Sequence, residues 1–293
     1  MTFGKLRNFG FALALALAPA VAIATDKAFG DDEIESQLVQ IELAISAGRL
    51  TQAASMLQGL DGKYPGKFQE RHAILSAELH MAAGDAVEAA KAIAAMPDPT
   101  SDPCRYGGVT GWLAYQGGDW NRAISMLATS VEACPDDPGR WNLMGLALLH
   151  KNEMSAALEA FDKALSFAPS HPALLNNRAL AYAYSGEAGA AIIDLEQAAH
   201  FAPDNVGIIA NLALLKSNSG LDALLPQVQD PQAQALIWQK AGDGALAAER
   251  NDVARAYYTQ ALLRSERFDP ELWARSTETH TNTQQENIDA KHD

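Results

Sequence analysis

Asn142 and Asn176 stand thirty-four residues apart, and so do Asn177 and Asn211. A side-chain amide both donates and accepts, so a ladder of them can hold the backbone of a peptide whatever its side chains. Leu146, Leu180 and Leu214 keep the same step. One step upstream lie Trp112 and Tyr115, large rigid side chains of the kind enriched at binding hot spots, and Tyr184 stands towards the other end. The same residues also suit an architectural use, in which the leucines pack between neighbouring units and the asparagines cap or bridge helices. The spacing alone leaves both readings open.

Catalytic chemistry has little support. The histidines, His72, His80, His150, His171, His200, His280 and His292, form no HxxxH pair and no HExxH motif, and are expected at the surface or in loops. No GxSxG elbow or dinucleotide fingerprint is present. Gly62-Lys63 and Gly66-Lys67 lack the second glycine and the Ser or Thr of a phosphate loop, so they read as a turn. No cofactor and no metal site is expected. Cys104 and Cys134 are placed at the start and the end of one helical hairpin, side by side in an antiparallel pair. A disulfide there closes a loop of about thirty residues and constrains the unfolded chain by roughly 3–4 kcal/mol. Two separate small buried thiols are the alternative.

The elements that must position these side chains repeat. From Pro138 to Pro172 the chain reads as one complete helical hairpin, with Trp141, Gly145 and Leu148 in the first helix, then Ala157, Phe161, Ala164 and Pro169. Thirty-four residues on, Leu175, Ala179, Tyr182, Ala191, Leu195, Ala198 and Pro203 occupy the same marks. One step back they fall on Gly111, Ala123, Leu127 and Pro135. This pattern resembles the tetratricopeptide repeat. The resemblance implies an all-α solenoid, a right-handed superhelix of six to seven antiparallel helix hairpins, whose first helices line an inner groove. Hairpins are expected near 34–67, 70–103, 104–137, 138–171 and 172–205, with a partial one at 206–220. A break follows at 221–233, and a displaced hairpin at 234–272 restores the spacing through Trp238, Gly242, Ala254, Tyr258 and Ala261. Its Arg- and Gln-rich second helix is expected to supply the polar cap that a solenoid end requires. Residues 25–33 form a lead, and residues 273–293 a disordered tail.

Leu174 to Tyr182, followed by Ile209-Ala210-Asn211-Leu212-Ala213-Leu214, resembles the TadD-like repeat proteins of tight-adherence (Flp) pilus assembly, which implies a role in assembling a secretion apparatus. Repeat proteins that grip a C-terminal carboxylate use Lys and Arg on the inner helices. In repeats four to six those places carry Gly139, Leu143, Ala173, Asn177, Gly207 and Asn211, so an internal peptide segment or a helix is the expected ligand.

Lys5 and Arg7 precede an apolar run from Phe9 to Ala24 that ends in Ala22-Ile23-Ala24. This is the pattern of a secretory signal peptide, residues 1–24, cleaved after Ala24, with an uncleaved anchor as the alternative. No cysteine follows it, so a lipoprotein is not expected. Loss of Lys5 and Arg7 takes the formal net charge of -14 to -16. That balance disfavours nucleic acid as a partner. The expected protein is a non-catalytic periplasmic scaffold, without a later membrane span, that binds a protein or peptide partner in the cell envelope. Its alternatives are a general envelope adaptor unrelated to pili and an enzyme with an unrecognised site.

Overall fold

The computed structural model describes residues 30–62, 65–96, 101–220 and 228–277, and within them there is no strand. Five helix pairs follow one another: α1 (Asp31–Ser46) with α2 (Leu50–Leu60), α3 (Gln69–Ala82) with α4 (Ala86–Ala94), α5 (Pro103–Gln116) with α6 (Trp120–Ala133), α7 (Pro138–His150) with α8 (Met154–Phe167), and α9 (Pro172–Tyr184) with α10 (Ala188–Phe201). Then come α11 (Val206–Asn218), α12 (Pro231–Ala247), α13 (Asn251–Arg264) and a short helical segment at 270–277.

Local chemistry starts these helices where the repeat requires. Asp102, Asp119 and Asp137 each accept a hydrogen bond from a first-turn backbone N–H, at 3.0 Å from Arg105, 3.1 Å from Arg122 and 2.8 Å from Gly139. Pro103, Pro138, Pro172 and Pro231 fill first-turn positions that have no backbone N–H to satisfy. The turn inside each hairpin needs a left-handed residue. Gly84, Gly118 and Gly186 supply it at φ of 76°, 74° and 83°, while Asn152 and Glu249 hold it at 61° and 59° in the fourth and terminal hairpins.

Three hairpins close on a glycine of the first helix, packed against a large residue sixteen positions later. A Cβ added at Gly145 would lie 2.6 Å from the Phe161 ring, and at Gly242 2.5 Å from the Tyr258 ring. Gly111 meets Leu127 in the same way at 2.6 Å. The ring can lie flat on the backbone only because the Cβ is missing, so Gly145 and Phe161 specify one interhelical distance between them. Arg178 braces hairpins four and five, with Nε 2.7 Å from Asp194 and a terminal nitrogen 2.7 Å from Asp162. Hydrogen bonding to Asp194, against the opposing effect of burial, holds Arg178 well above the usual guanidinium range.

The regular alternation stops after α11. Ile237 and Ala241 of α12 share a core cluster with Ile209, Ala210 and Ala213 of α11. Farther along, a Cβ at Gly244 would come within 2.1 Å of the Leu214 carbonyl oxygen, and the Arg250 guanidinium reaches the Ser217 carbonyl at 3.4 Å. The contacts advance together along both helices, so α11 and α12 run parallel and pack directly on each other. Gly244 permits that backbone-to-backbone approach.

Several expected boundaries shift. The lead ends at residue 30, because Asp31, Asp32 and Glu33 form an acidic first turn that suits the positive end of the α1 dipole. The break is shorter than 221–233, because Asp230 caps α12 and Pro231 begins it. The tail begins later than 273: Asp269 accepts from Glu271 and Leu272 N–H at 3.0 Å, and the resulting turn of helix buries Leu272 and Ser276. His72 is no surface residue. It lies in α3 with 12% of its side chain exposed and Nε2 3.4 Å from the Leu57 carbonyl. The signal segment 1–24 and the rest of the tail lie outside the described residues. No helix among the described residues is long and apolar enough to cross a membrane.

Candidate protein-interaction groove

The first helices of successive hairpins, α1, α3, α5 and α7, are neighbours, and a cleft of 790 Å³ opens along them. Its walls are charged. Glu42 comes from α1, Arg71 and Glu78 from α3, Arg105 from α5 and Arg140 from α7. A second cleft of 320 Å³ continues it between α3, α5 and α7, sharing Glu78, Met81, Arg105 and Arg140 and adding the apolar walls Val109, Trp112 and Leu143.

The charges in this groove are cross-braced. Arg105 donates from Nε to Glu78 at 2.9 Å and from a terminal nitrogen to its other oxygen at 2.5 Å, while its remaining nitrogen meets Glu42 at 2.9 Å. Arg71 pairs with Glu35 and, at 3.4 Å, with Glu42; Arg140 pairs with Asp137 at 3.0 Å. One guanidinium thus ties three consecutive first helices together. Burial acts against the Arg105 charge more strongly than any single partner, yet Glu78 and Glu42 together outweigh it and leave the group above its ordinary value. Paired forks of this kind fix the spacing of the helices as much as they present charge.

Glycines set the floor. A Cβ at Gly108 would lie 2.9 Å from Arg140 Nε, so the guanidinium crosses α5 where the helix is thinnest. Gly107 faces the other way, with the Met126 carbonyl oxygen 2.7 Å from the missing Cβ. Ser130 donates to the Cys104 carbonyl at 2.5 Å beside it. Cys104 and Cys134 are bonded to each other, with Cα atoms 5.6 Å apart, and both line the larger cleft.

The residues singled out in the sequence divide among three places. Trp112 and Asn142 line the smaller cleft. Asn142, Asn176, Asn177 and Asn211 join one another: Asn177 donates to Asn142 at 2.9 Å, Asn176 to Asn177 at 3.2 Å and Asn211 to Asn176 at 2.9 Å. The amides therefore form a continuous bridge across α7, α9 and α11. Leu146, Leu180 and Leu214 are half-buried beside it, with Leu146 packed against the Phe161 cluster. Tyr115 belongs to an aromatic group at the far end of α5, where its hydroxyl lies 3.3 Å from His150 Nε2 and Trp120 stacks on His150 at 4.2 Å. Burial raises the Tyr115 phenol above its ordinary value. Tyr184 is 72% exposed and stands apart.

Sequence reasoning passed over Arg71, Arg105, Arg140, Glu42 and Glu78. A signal for three of them existed: Arg71 and Arg105 are thirty-four residues apart, and Glu78 stands one step before Trp112 in the row that continues to Leu146.

Comparison with known proteins agrees with this architecture. Residues 109–172 match the tetratricopeptide-repeat family model. No curated protein matches the sequence. Among solved structures, the Cut9–Hcn1 hetero-tetramer of the APC/C superposes with a TM-score of 0.55 at 16% identity, covering 83% of this chain and 42% of that one. MamA gives 0.43 at 18% identity, covering 64% of this chain and 93% of its own. YrrB, described as a TPR protein with an unusual peptide-binding site, also gives 0.43 at 18% identity, with coverages of 60% and 89%. The described residues fold as a solenoid of helical hairpins, within which residues 109–172 are tetratricopeptide-repeat sequence.

Proposed function

We propose that this protein is a non-catalytic adaptor of the cell envelope whose inner groove holds a peptide segment or helix of a partner protein. The observation that carries the reading is the run of two adjoining clefts along α1, α3, α5 and α7. Their charged side chains are committed to one another, which suits a fixed binding surface better than proton transfer. Trp112 and Leu143 offer the apolar contact, and Asn142 links the groove to the amide bridge downstream. Export rests on the basic and apolar pattern of residues 1–24. Cell fractionation checks it, and recovery in the cytoplasm would remove it.

The groove itself is tested by placing a photo-crosslinking residue at Met81 or Leu143 and, as a control, at exposed Ile193 on α10. A partner captured from the groove positions and absent from the control is expected. Capture only from Ile193 would move the site to the outer surface. A second, narrower reading, assembly of a tight-adherence pilus, is favoured by the run from Leu174 to Leu214. Deletion of the gene should then abolish piliation, and unchanged pili would leave the general adaptor standing.

A further inference from the structure

The far end of the solenoid is apolar where a polar cap was expected. Phe268 is 71% exposed, Trp273 53% and Leu236 42%. The Phe268 and Trp273 rings lie 6.5 Å apart. Phe268, Pro270 and Leu236 edge an open groove of 640 Å³ between the start of α12 and residues 265–272. A solenoid end left in this condition is a surface for association.

Charge identifies the occupant. The chain carries a net charge of -14, so two copies repel over most of their surfaces. Residues 264–275 contribute none of it, because Arg264, Arg267 and Arg275 balance Glu266, Asp269 and Glu271. On the groove rim the signs alternate through Glu266, Arg267 and Asp269. A twofold axis through such a patch sets the Arg267 of each copy against the acids of the other, as an isologous interface requires. Residues 278–293 are a poor alternative cover, since they hold one large apolar side chain, Ile288, for two aromatic rings. The opposite end of the array is a poor mate as well, because α1 is acidic through Asp31, Asp32, Glu33, Glu35 and Glu42, and its cationic neighbours Lys67 and Arg71 are already paired with Asp31, Glu35 and Glu42.

We infer that two copies of this chain pair through their C-terminal hairpins, Phe268 and Trp273 of each seated in the groove of the other. The pairing is modest, because the exposed parts of four aromatic rings supply roughly 500 Å² of a standard interface.

Sedimentation velocity over a concentration series, on the protein in the form its own cells accumulate, tests this. A monomer–dimer equilibrium with a Kd on the order of 10 μM is expected. Phe268→Asp with Trp273→Ser should leave monomer at every concentration. Both side chains project from the core, so circular dichroism and melting temperature should hold, which separates lost pairing from lost folding. Arg267→Glu should weaken pairing about tenfold, and mixing it with a Glu266→Arg, Asp269→Arg chain should restore mixed dimers. Deleting residues 278–293 should change nothing. A wild-type monomer at roughly 200 μM overturns the inference. So does a dimer that survives the aromatic substitutions, a dimer lost with residues 278–293, or growth beyond the dimer into head-to-tail polymers.

Discussion

The inner face of the solenoid is built in two ways that meet at Asn142. Upstream, long charged side chains span the first helices, and Arg105 reaches both Glu78 and Glu42. A cleft of 790 Å³ lies among them. Downstream, α7, α9 and α11 are joined by short amides that bond directly to one another, and half-buried leucines fill the places beside them. The repeat register is the same in both halves, since Glu78, Trp112, Leu146, Leu180 and Leu214 form one row at a constant step. The residue occupying that register decides what the face does. A carboxylate braced by arginine or a tryptophan leaves a groove, whereas leucine beside asparagine turns the same surface into packing between repeats.

The largest test of this contrast is the removal of Arg105. Its side chain is 15% exposed and that of Glu78 12%, so Arg105→Met strands a carboxylate with little water to receive it. A loss of about 3 kcal/mol is expected in denaturant unfolding. Glu78→Met in the same chain should recover most of it, because two apolar side chains tolerate the site better than one orphaned charge. A near-zero effect of Arg105→Met would mean that the brace is a surface ion pair and the upstream face no more rigid than the downstream one.

Two adjacent glycines sharpen the upstream half. At Gly107→Ala the new methyl meets the Met126 backbone carbonyl, which cannot step aside, and about 2 kcal/mol should be lost. At Gly108→Ala it meets the Arg140 side chain, which can swing away. The gain in helix propensity, about 1 kcal/mol, then roughly offsets the contact, and stability stays within about half of that. The cost of Gly108→Ala should appear instead in crosslinking from Leu143, as Arg140 leaves the groove. Equal destabilisation by the two substitutions would break the assignment of Gly108 to the groove floor.

The step of the repeats was legible because it rests on packing that chemistry constrains tightly. A missing Cβ at Gly145 under the Phe161 ring, and the same pairing at Gly242 and Tyr258, can be satisfied by few residue types, so the spacing survives in the sequence. The parallel packing of α11 on α12 was less visible. Gly244 falls outside the repeated marks, and its role depends on the Leu214 carbonyl of another helix. The candidate groove was legible only in part. Trp112 and Asn142 announced themselves by type, but Arg105 reads as an ordinary surface charge until Glu78 and Glu42 are seen on either side of it. The polar cap was misjudged for a related reason. Arg264 and Gln260 of α13 are engaged with each other and with α12, Arg264 donating to Gln234 at 2.8 Å and to Gln260 at 2.6 Å, while Phe268 and Trp273 stay outside.

The smallest test addresses the downstream half, where two uses of the asparagines predict opposite results. Asn177 donates to Asn142 and accepts from Asn176, so Asn177→Ala opens the bridge at its centre. The orphaned amides are half-buried and water can reach them, which limits the loss to about 1 kcal/mol. If the bridge only joins repeats, urea unfolding should show that loss while a partner is still captured at Met81 and Leu143. If the amides hold a ligand, stability should scarcely move and capture should fall. Adding Asn211→Ala, which removes the donor to Asn176, separates the cases further. In a structural bridge the second substitution costs less than it does alone, because the chain of amides is already cut, and a coupling of about 0.5 kcal/mol is expected. Strict additivity of the two would mean that the rungs act singly and that the downstream face is less continuous than its hydrogen bonds suggest.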